Sequence, residues 1–81
     1  MIEEVREILR ATLKLGARAD ALVPATALLG NLPELDSMAV VSVITALEEN
    51  FGFVVDDDEI SSETFETLGS LAKFVQAKLG T

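Results

Sequence analysis

The chain has 81 residues, and fourteen Asp and Glu against six Lys and Arg give it a formal net charge of −8 at pH 7. It contains no Cys and no His, which excludes disulfides and thiolate metal sites and removes the commonest metal ligand and acid–base group. The acidic balance argues against binding to nucleic acids or anionic membranes, because both need a basic surface. Partner proteins with basic surfaces would complement the acidic charge of this chain.

The length predicts one small domain with one modest core over residues 1–81, and we expect a monomer. The N-terminus is acidic and lacks the positive segment of a secretory signal. No apolar run approaches the roughly 20 residues that a membrane-spanning helix needs. We therefore expect a cytoplasmic protein without membrane insertion.

The first predicted element is an amphipathic helix from Ile2 to about Leu15, which Gly16 is expected to end. A long connection then runs from Ala17 to Leu35. Connections of this length are uncommon unless they are packed or functional. We expect five of its apolar side chains to anchor it across the helices: Leu22, Val23, Leu28, Leu29 and Leu32.

The second helix is predicted from about Ser37 to Asn50, with its end near Phe51 and Gly52. Six of its positions form one broad apolar arc towards the core: Val40, Val41, Val43, Ile44, Leu47 and Phe51. Four positions fall on the opposite, solvent side: Met38, Ser42, Thr45 and Glu49.

Ser37 follows an Asp that can cap this helix, so its hydroxyl lies at a helix start. The first turn has unpaired N–H groups and the positive end of the macrodipole, where a phosphate is stabilised. Ser37 is thus a candidate attachment point for a phosphodiester, whereas a nucleophilic serine would need a base and the chain has no His. The alternative is that Asp36 and Ser37 are only an N-cap pair.

The segment Phe53-Val54-Val55 is apolar but has no partner strand, so we predict a buried loop. The acidic run Asp56–Glu59 lacks the ligand spacing and the central Gly of an EF-hand loop. No metal site is predicted there, although loose association of divalent ions stays open. We expect a short third helix within Asp57 to Phe65 instead.

The last helix is predicted to be capped by Thr67 and closed by Gly80. Its apolar stripe has five members, flanked by Phe74: Leu68, Leu71, Ala72, Val75 and Leu79. The predicted fold class is all-α, a compact four-helix bundle with three main helices, one short helix and a long first inter-helix loop. No nucleophile is paired with a recognisable base and orienter, so no catalytic residue is predicted.

No basic residue lies between Arg18 and Lys73, yet this interval holds eleven of the fourteen acids. They are Asp20, Glu34, Asp36, Glu48, Glu49, Asp56, Asp57, Asp58, Glu59, Glu63 and Glu66. The distribution predicts a field of one sign around Ser37, which would speed encounter with basic patches on partner enzymes.

The motif Asp36-Ser37-Met38, preceded by a Leu-Leu-Gly loop and followed by the run from Ala46 to Gly52, resembles the Asp-Ser-Leu signature of acyl carrier proteins. The resemblance covers nearly the whole chain. It implies that a phosphopantetheinyl transferase loads Ser37 with 4′-phosphopantetheine from coenzyme A, whose thiol holds acyl groups as thioesters. Met38 replaces the usual Leu, a volume-conserving change.

Three further segments look more like the free-standing carriers associated with exosortase loci, or carriers of polyketide and nonribosomal peptide lines, than the housekeeping fatty-acid type: Asn31–Leu35, Asp56–Ile60 and Thr67–Leu71. The solvent side of the second helix, where Met38 is exposed next to Ser37, predicts a partner-binding surface of Met38, Ser42, Thr45, Glu48 and Glu49. Two alternatives stay open: a peptidyl or aminoacyl carrier of a nonribosomal-type pathway, and a cofactor-free helical interaction module.

Overall fold

Three α-helices and two 3-10 helices alternate with loops along the chain. In order they are α1 (Ile2–Leu13), the 3-10 helix Gly16–Ala21, α2 (Ser37–Phe51), the 3-10 helix Asp57–Glu59 and α3 (Leu68–Lys78). The computed structural model describes residues 1–80, without the side chain of Asp57. Over these residues there is no strand beyond an isolated bridge between Ala27 and Thr67. The predicted all-α class and long first connection are confirmed, and the short third helix is the three-residue Asp57–Glu59.

One apolar core joins the helices. Its members in the three α-helices are Val5, Ile8, Leu9 and Leu13 of α1, Val43, Ile44 and Leu47 of α2, and Leu68, Leu71, Ala72 and Val75 of α3. The α3 stripe is therefore confirmed except at Leu79, which is exposed because it follows the last helical residue. Thr67 caps α3 as predicted, and its hydroxyl accepts the Ser70 N–H while the Ser70 hydroxyl accepts the Thr67 N–H, each at 3.0 Å.

Helix α1 ends two residues earlier than predicted, at Leu13. Lys14 adopts the left-handed conformation that terminates it, with φ 54°, two residues before the expected Gly16, and its N–H bonds the carbonyl of Arg10. Two more helical residues would have placed Leu15 roughly 200° around the axis from Leu13. The early end instead turns Leu15 into the core, and Gly16 opens a 3-10 helix that the sequence analysis did not predict.

The long connection is packed as expected through Leu22, Leu28 and Leu32, which are buried. The prediction is wrong for Val23 and Leu29, which are exposed. Leu29 lies in the turn that follows Leu28, in which the N–H groups of Asn31 and Leu32 bond the Leu28 carbonyl, and its side chain is left outside the core. Val23 lies in a turn, where its N–H bonds the Thr26 hydroxyl at 2.9 Å.

The connection after α2 is tied to that helix by a carboxylate. Glu48 Oε2 accepts the N–H of Val55 at 2.8 Å, and the Phe53 ring stacks on Phe51 with 6.0 Å between centroids. Phe53 and Val55 are half-buried, whereas Val54 between them is 73% exposed. The segment is a loop as predicted, but the prediction that all of it is buried is wrong at Val54, because alternate residues face opposite sides.

The core position of α2 can be tested at Leu47, which is fully buried. Leu47→Ala is expected to lower the free energy of unfolding by about 2–5 kcal/mol. Glu49→Ala removes an exposed side chain from the same helix and should change it by less than about 0.5 kcal/mol. Urea unfolding followed by circular dichroism measures both variants. Equal losses would contradict the helical phase described above.

The hydrogen bond from the Val55 N–H to Glu48 can be tested separately. Glu48→Ala removes the acceptor of the Val55 N–H, so amide exchange at Val55 should accelerate about tenfold. Glu48→Gln keeps a side-chain oxygen and should retain most of the protection. Glu49→Ala is the matched control, and NMR hydrogen exchange is the measurement. Unchanged exchange at Val55 in Glu48→Ala would show that the bond does not hold the loop.

Candidate functional site

Ser37 is the first residue of α2, and its side chain is exposed. The helix is capped by the residue before it, since Asp36 Oδ1 accepts the Ala39 N–H at 2.8 Å. The capping role predicted for Asp36 is therefore confirmed. Among the described residues none hydrogen-bonds the Ser37 hydroxyl, so the cap does not depend on Ser37.

The loop that leads to Ser37 is fixed by packing and by an ion pair. Leu32 and Leu35 are buried, and Arg18 Nη2 donates to Glu34 Oε1 at 2.9 Å. The Arg18 guanidinium also contacts the other Glu34 oxygen, and these hydrogen bonds hold the pKa of Glu34 below its usual range. A pair that joins residues 16 positions apart thus holds the approach to the serine in place.

The outer side of α2 next to Ser37 is partly apolar. Met38 is 81% exposed, and Ser42, Thr45 and Glu49 are exposed as predicted. Val41 joins them at 65% exposure, so its assignment to the core arc was wrong. It lies roughly 120° around the helix axis from Leu47, beyond the part of the helix that the other elements cover.

Glu48 lies at the margin of this surface, where its carboxylate accepts the Val55 N–H. The same bond places the exposed Val54 beside the C-terminal half of α2. Sequence reasoning missed both Val41 and Val54 as exposed apolar residues. The only signal for Val54 was its position between two aromatic or aliphatic neighbours in a short extended run, since alternate residues of such a run face opposite sides.

A small apolar cavity of about 260 Å³ opens beside α2. Leu29, Val40, Ile60 and Phe65 line it, and Val40 is one helical turn after Ser37. An apolar group tethered at the serine could contact this cavity. The sequence did not reveal it, because its walls come from three separate segments.

Tertiary contacts reduce the predicted acidic field. Three of the eleven acids between Arg18 and Lys73 pair with bases that lie at or beyond the ends of that interval. The pairs are Asp20 with Arg10, Glu34 with Arg18, and Glu59 with Lys78. Lys78 Nζ lies 2.7 Å from Glu59 Oε2, and this hydrogen bond lowers the pKa of Glu59. The acids left without such a pair on α2 are Glu48, which binds Val55, and Glu49.

Within residues 1–80, no helix is long and apolar enough to cross a membrane. Two comparisons with known proteins bear on the site around Ser37. The family model described as a phosphopantetheine attachment site matches residues 3–75. The solution NMR structure of a holo acyl carrier protein from Nitrosomonas europaea is 65% identical in sequence and superposes with a TM-score of 0.91. The match covers 99% of this chain and 96% of that one.

The family match spans most of the chain and includes the exposed serine at the start of α2. Proteins of this family are loaded by phosphopantetheinyl transferases and work with acyl-handling enzymes. An unpartnered hydroxyl at the positive end of a helix is a fitting acceptor for a phosphate-linked group. The chain therefore belongs to the phosphopantetheine attachment-site family, and it is a non-catalytic acyl carrier protein whose prosthetic group is 4′-phosphopantetheine.

Proposed function

We propose that Ser37 is the residue that carries the 4′-phosphopantetheine arm. The observation that supports this most directly is the exposed Ser37 hydroxyl, which has no hydrogen-bond partner among the described residues while Asp36 alone caps α2. The hydroxyl is thus free to react without loss of a structural contact. A phosphate on its oxygen would lie at the positive end of the α2 macrodipole.

Attachment forms a bond between Ser37 Oγ and the phosphorus next to the pantetheine of coenzyme A, and 3′,5′-ADP leaves. None of the described residues hydrogen-bonds the Ser37 hydroxyl, so we expect the transferase to supply the base that takes the serine proton. When bound, the arm supplies a terminal thiol that holds an acyl group as a thioester. The residues of this chain present the attachment point and the surface that partner enzymes recognise.

That surface consists of Met38, Ser42, Thr45 and Glu49, with Glu48 at its margin, and we add the exposed Val41. Its apolar members are suited to a contact that forms only in the complex, and Met adapts well to different partners. Basic patches on those enzymes would meet Glu49 and the unpaired acids nearby. Glu48 contributes less as an encounter charge, because it already binds Val55.

Several finer assignments stay predictions. They are a monomeric state, a single domain over residues 1–81, a cytoplasmic location, a link to exosortase loci and the pathway that the carrier serves. An aminoacyl or peptidyl cargo is the alternative to a simple acyl cargo. The cargo is found by mass spectrometry of the arm after isolation from the native host.

The attachment residue is tested by Ser37→Ala. Incubation with coenzyme A and a phosphopantetheinyl transferase should increase the intact mass of the wild-type protein by one phosphopantetheine and leave Ser37→Ala unchanged. Because Asp36 still caps α2, the variant should keep its helicity and lose at most about 1 kcal/mol of stability. Ser62→Ala, at another exposed serine, should be modified normally. A modified Ser37→Ala, or one that unfolds, would refute the assignment.

The partner surface is tested by the rate of that transfer reaction. Met38→Ala should slow it at every salt concentration without a change in thermal stability, because Met38 is 81% exposed and its contact exists only in the complex. Glu49→Lys should slow it mainly at low salt, since rim charges act on association and are screened. Glu63→Lys makes the same charge change outside this surface and is the control.

We expect the loss from Met38→Ala to exceed that from Glu49→Lys, because few unpaired acids remain on this side of α2. If Met38→Ala transfers at the wild-type rate while Glu49→Lys loses most activity at low and high salt alike, this division between apolar and charged contacts is wrong.

A further inference from the structure

A groove of about 720 Å³ lies between α1 and the C-terminal half of α2. Ile8, Ala11, Ala46 and Phe51 give it a floor of apolar and small side chains. Ala46 is nine residues after Ser37, which places it roughly 14 Å along the axis and 180° around the helix. The groove therefore faces away from Ser37, although it borders the edge of the partner surface formed by Ser42 and Glu49, which lie roughly 40° and 60° from Ala46 around the helix.

Acidic side chains line one side of the groove. They are Glu3, Glu4 and Glu7 of α1, and no Lys or Arg is among the described residues that line it. Glu4 lies 3.2 Å from the N-terminal ammonium, and Glu7 is hydrogen-bonded by Arg10. Arg10 Nε and Nη2 both donate to the Glu7 carboxylate, and Arg10 also bonds Asp20 and the carbonyl of Gly16.

Glu3 has no partner among the described residues, and its carboxylate is exposed. It stands four residues before Glu7, whose charge Arg10 balances, and next to Glu4, which pairs with the N-terminal ammonium. The attraction for a cation at this rim comes chiefly from Glu3. The charge of the rim therefore favours a basic ligand.

The shape of the groove favours a helical ligand. Its α1 wall extends from Glu3 to Thr12, roughly 14 Å or two and a half helical turns. The two small side chains Ala11 and Ala46 leave room for another backbone to come close. A second copy of this chain is a poor occupant, because each copy carries a net charge of −8.

We propose that this groove docks an amphipathic helix of two to three turns from a partner protein, separately from the Ser37 surface. Apolar side chains of that helix would lie on the floor at Ala11, Ala46 and Phe51. Lys or Arg residues along one edge would face the acidic rim. This is the helix-in-groove mode of recognition, with apolar anchors at helical spacing and charges that set the orientation.

The probe is a synthetic, end-capped 12-residue peptide with Leu at positions i, i+3, i+4 and i+7 and Lys along one edge. It is titrated into the isotope-labelled, phosphopantetheine-loaded full chain and followed by NMR. Amide shifts should change along Glu3–Thr12 and Ala46–Phe51. A peptide in which every Lys is replaced by Glu should not bind. Shifts confined to the side of Met38 and Thr45 would overturn the proposal.

Two variants with matched controls locate the contact. Glu3→Lys should weaken binding about fivefold at low salt. Ala11→Gln should weaken it about tenfold, because the longer side chain fills the floor of the groove while Gln is well tolerated in a helix. Glu63→Lys and Ala77→Gln make the same changes at exposed sites outside the groove and should bind within about twofold of wild type.

Binding of both groove variants at the wild-type affinity would overturn the proposal. So would a dimer in sedimentation velocity that Ala11→Gln dissociates, because the groove would then hold a second copy of the chain. Loading of Ser37 by the transferase should be normal in both variants, so failure of this inference is distinguishable from failure of the proposed attachment site.

Discussion

Four backbone hydrogen bonds join the long connection to the residues around the start of α3, two segments that neither a regular sheet nor a helix links. The N–H groups of Leu28 and Leu29 donate to Glu66 and Phe65, and those of Leu68 and Gly69 donate to Thr26 and Pro24. At Gly69 the two segments approach so closely that a Cβ would lie 2.9 Å from the Pro24 carbonyl oxygen. Since the connection leads on to Asp36, these bonds help to position in the fold the segment that precedes α2, while the Asp36 cap sets the residue at which the helix begins.

At the start of α2, the residue that caps the helix and the proposed attachment residue are neighbours. Asp36 satisfies the first turn through the Ala39 N–H, and the Arg18–Glu34 pair holds the approach. Ser37 takes no part in either contact. A group attached to its oxygen, as we propose, would therefore cost the fold no hydrogen bond.

Helix α2, which is 15 residues long, contributes to three different surfaces. One side, around Leu47, is buried, and the outer side presents Met38 and Val41 beside the serine. The third, at Ala46 and Phe51, forms a wall of the groove against α1. Glu48 connects the helix to the following loop and positions Val54. Helical periodicity thus separates these surfaces by angle rather than by additional chain.

The sequence by itself determined the features that depend on neighbours within about one helical turn. These are the Asp36 and Thr67 caps, the bounds of α2 and the exposed position of Ser37, because capping and periodicity are local effects. It did not determine features that depend on distant segments. Those are the early end of α1 at Leu13, the exposure of Val41, Val54 and Leu29, the pairing of Arg18 with Glu34, and the groove. Whether an apolar side chain is buried depends on which other element covers it, and whether an acid remains unpaired depends on which base the fold brings near. Only the tertiary structure decides both.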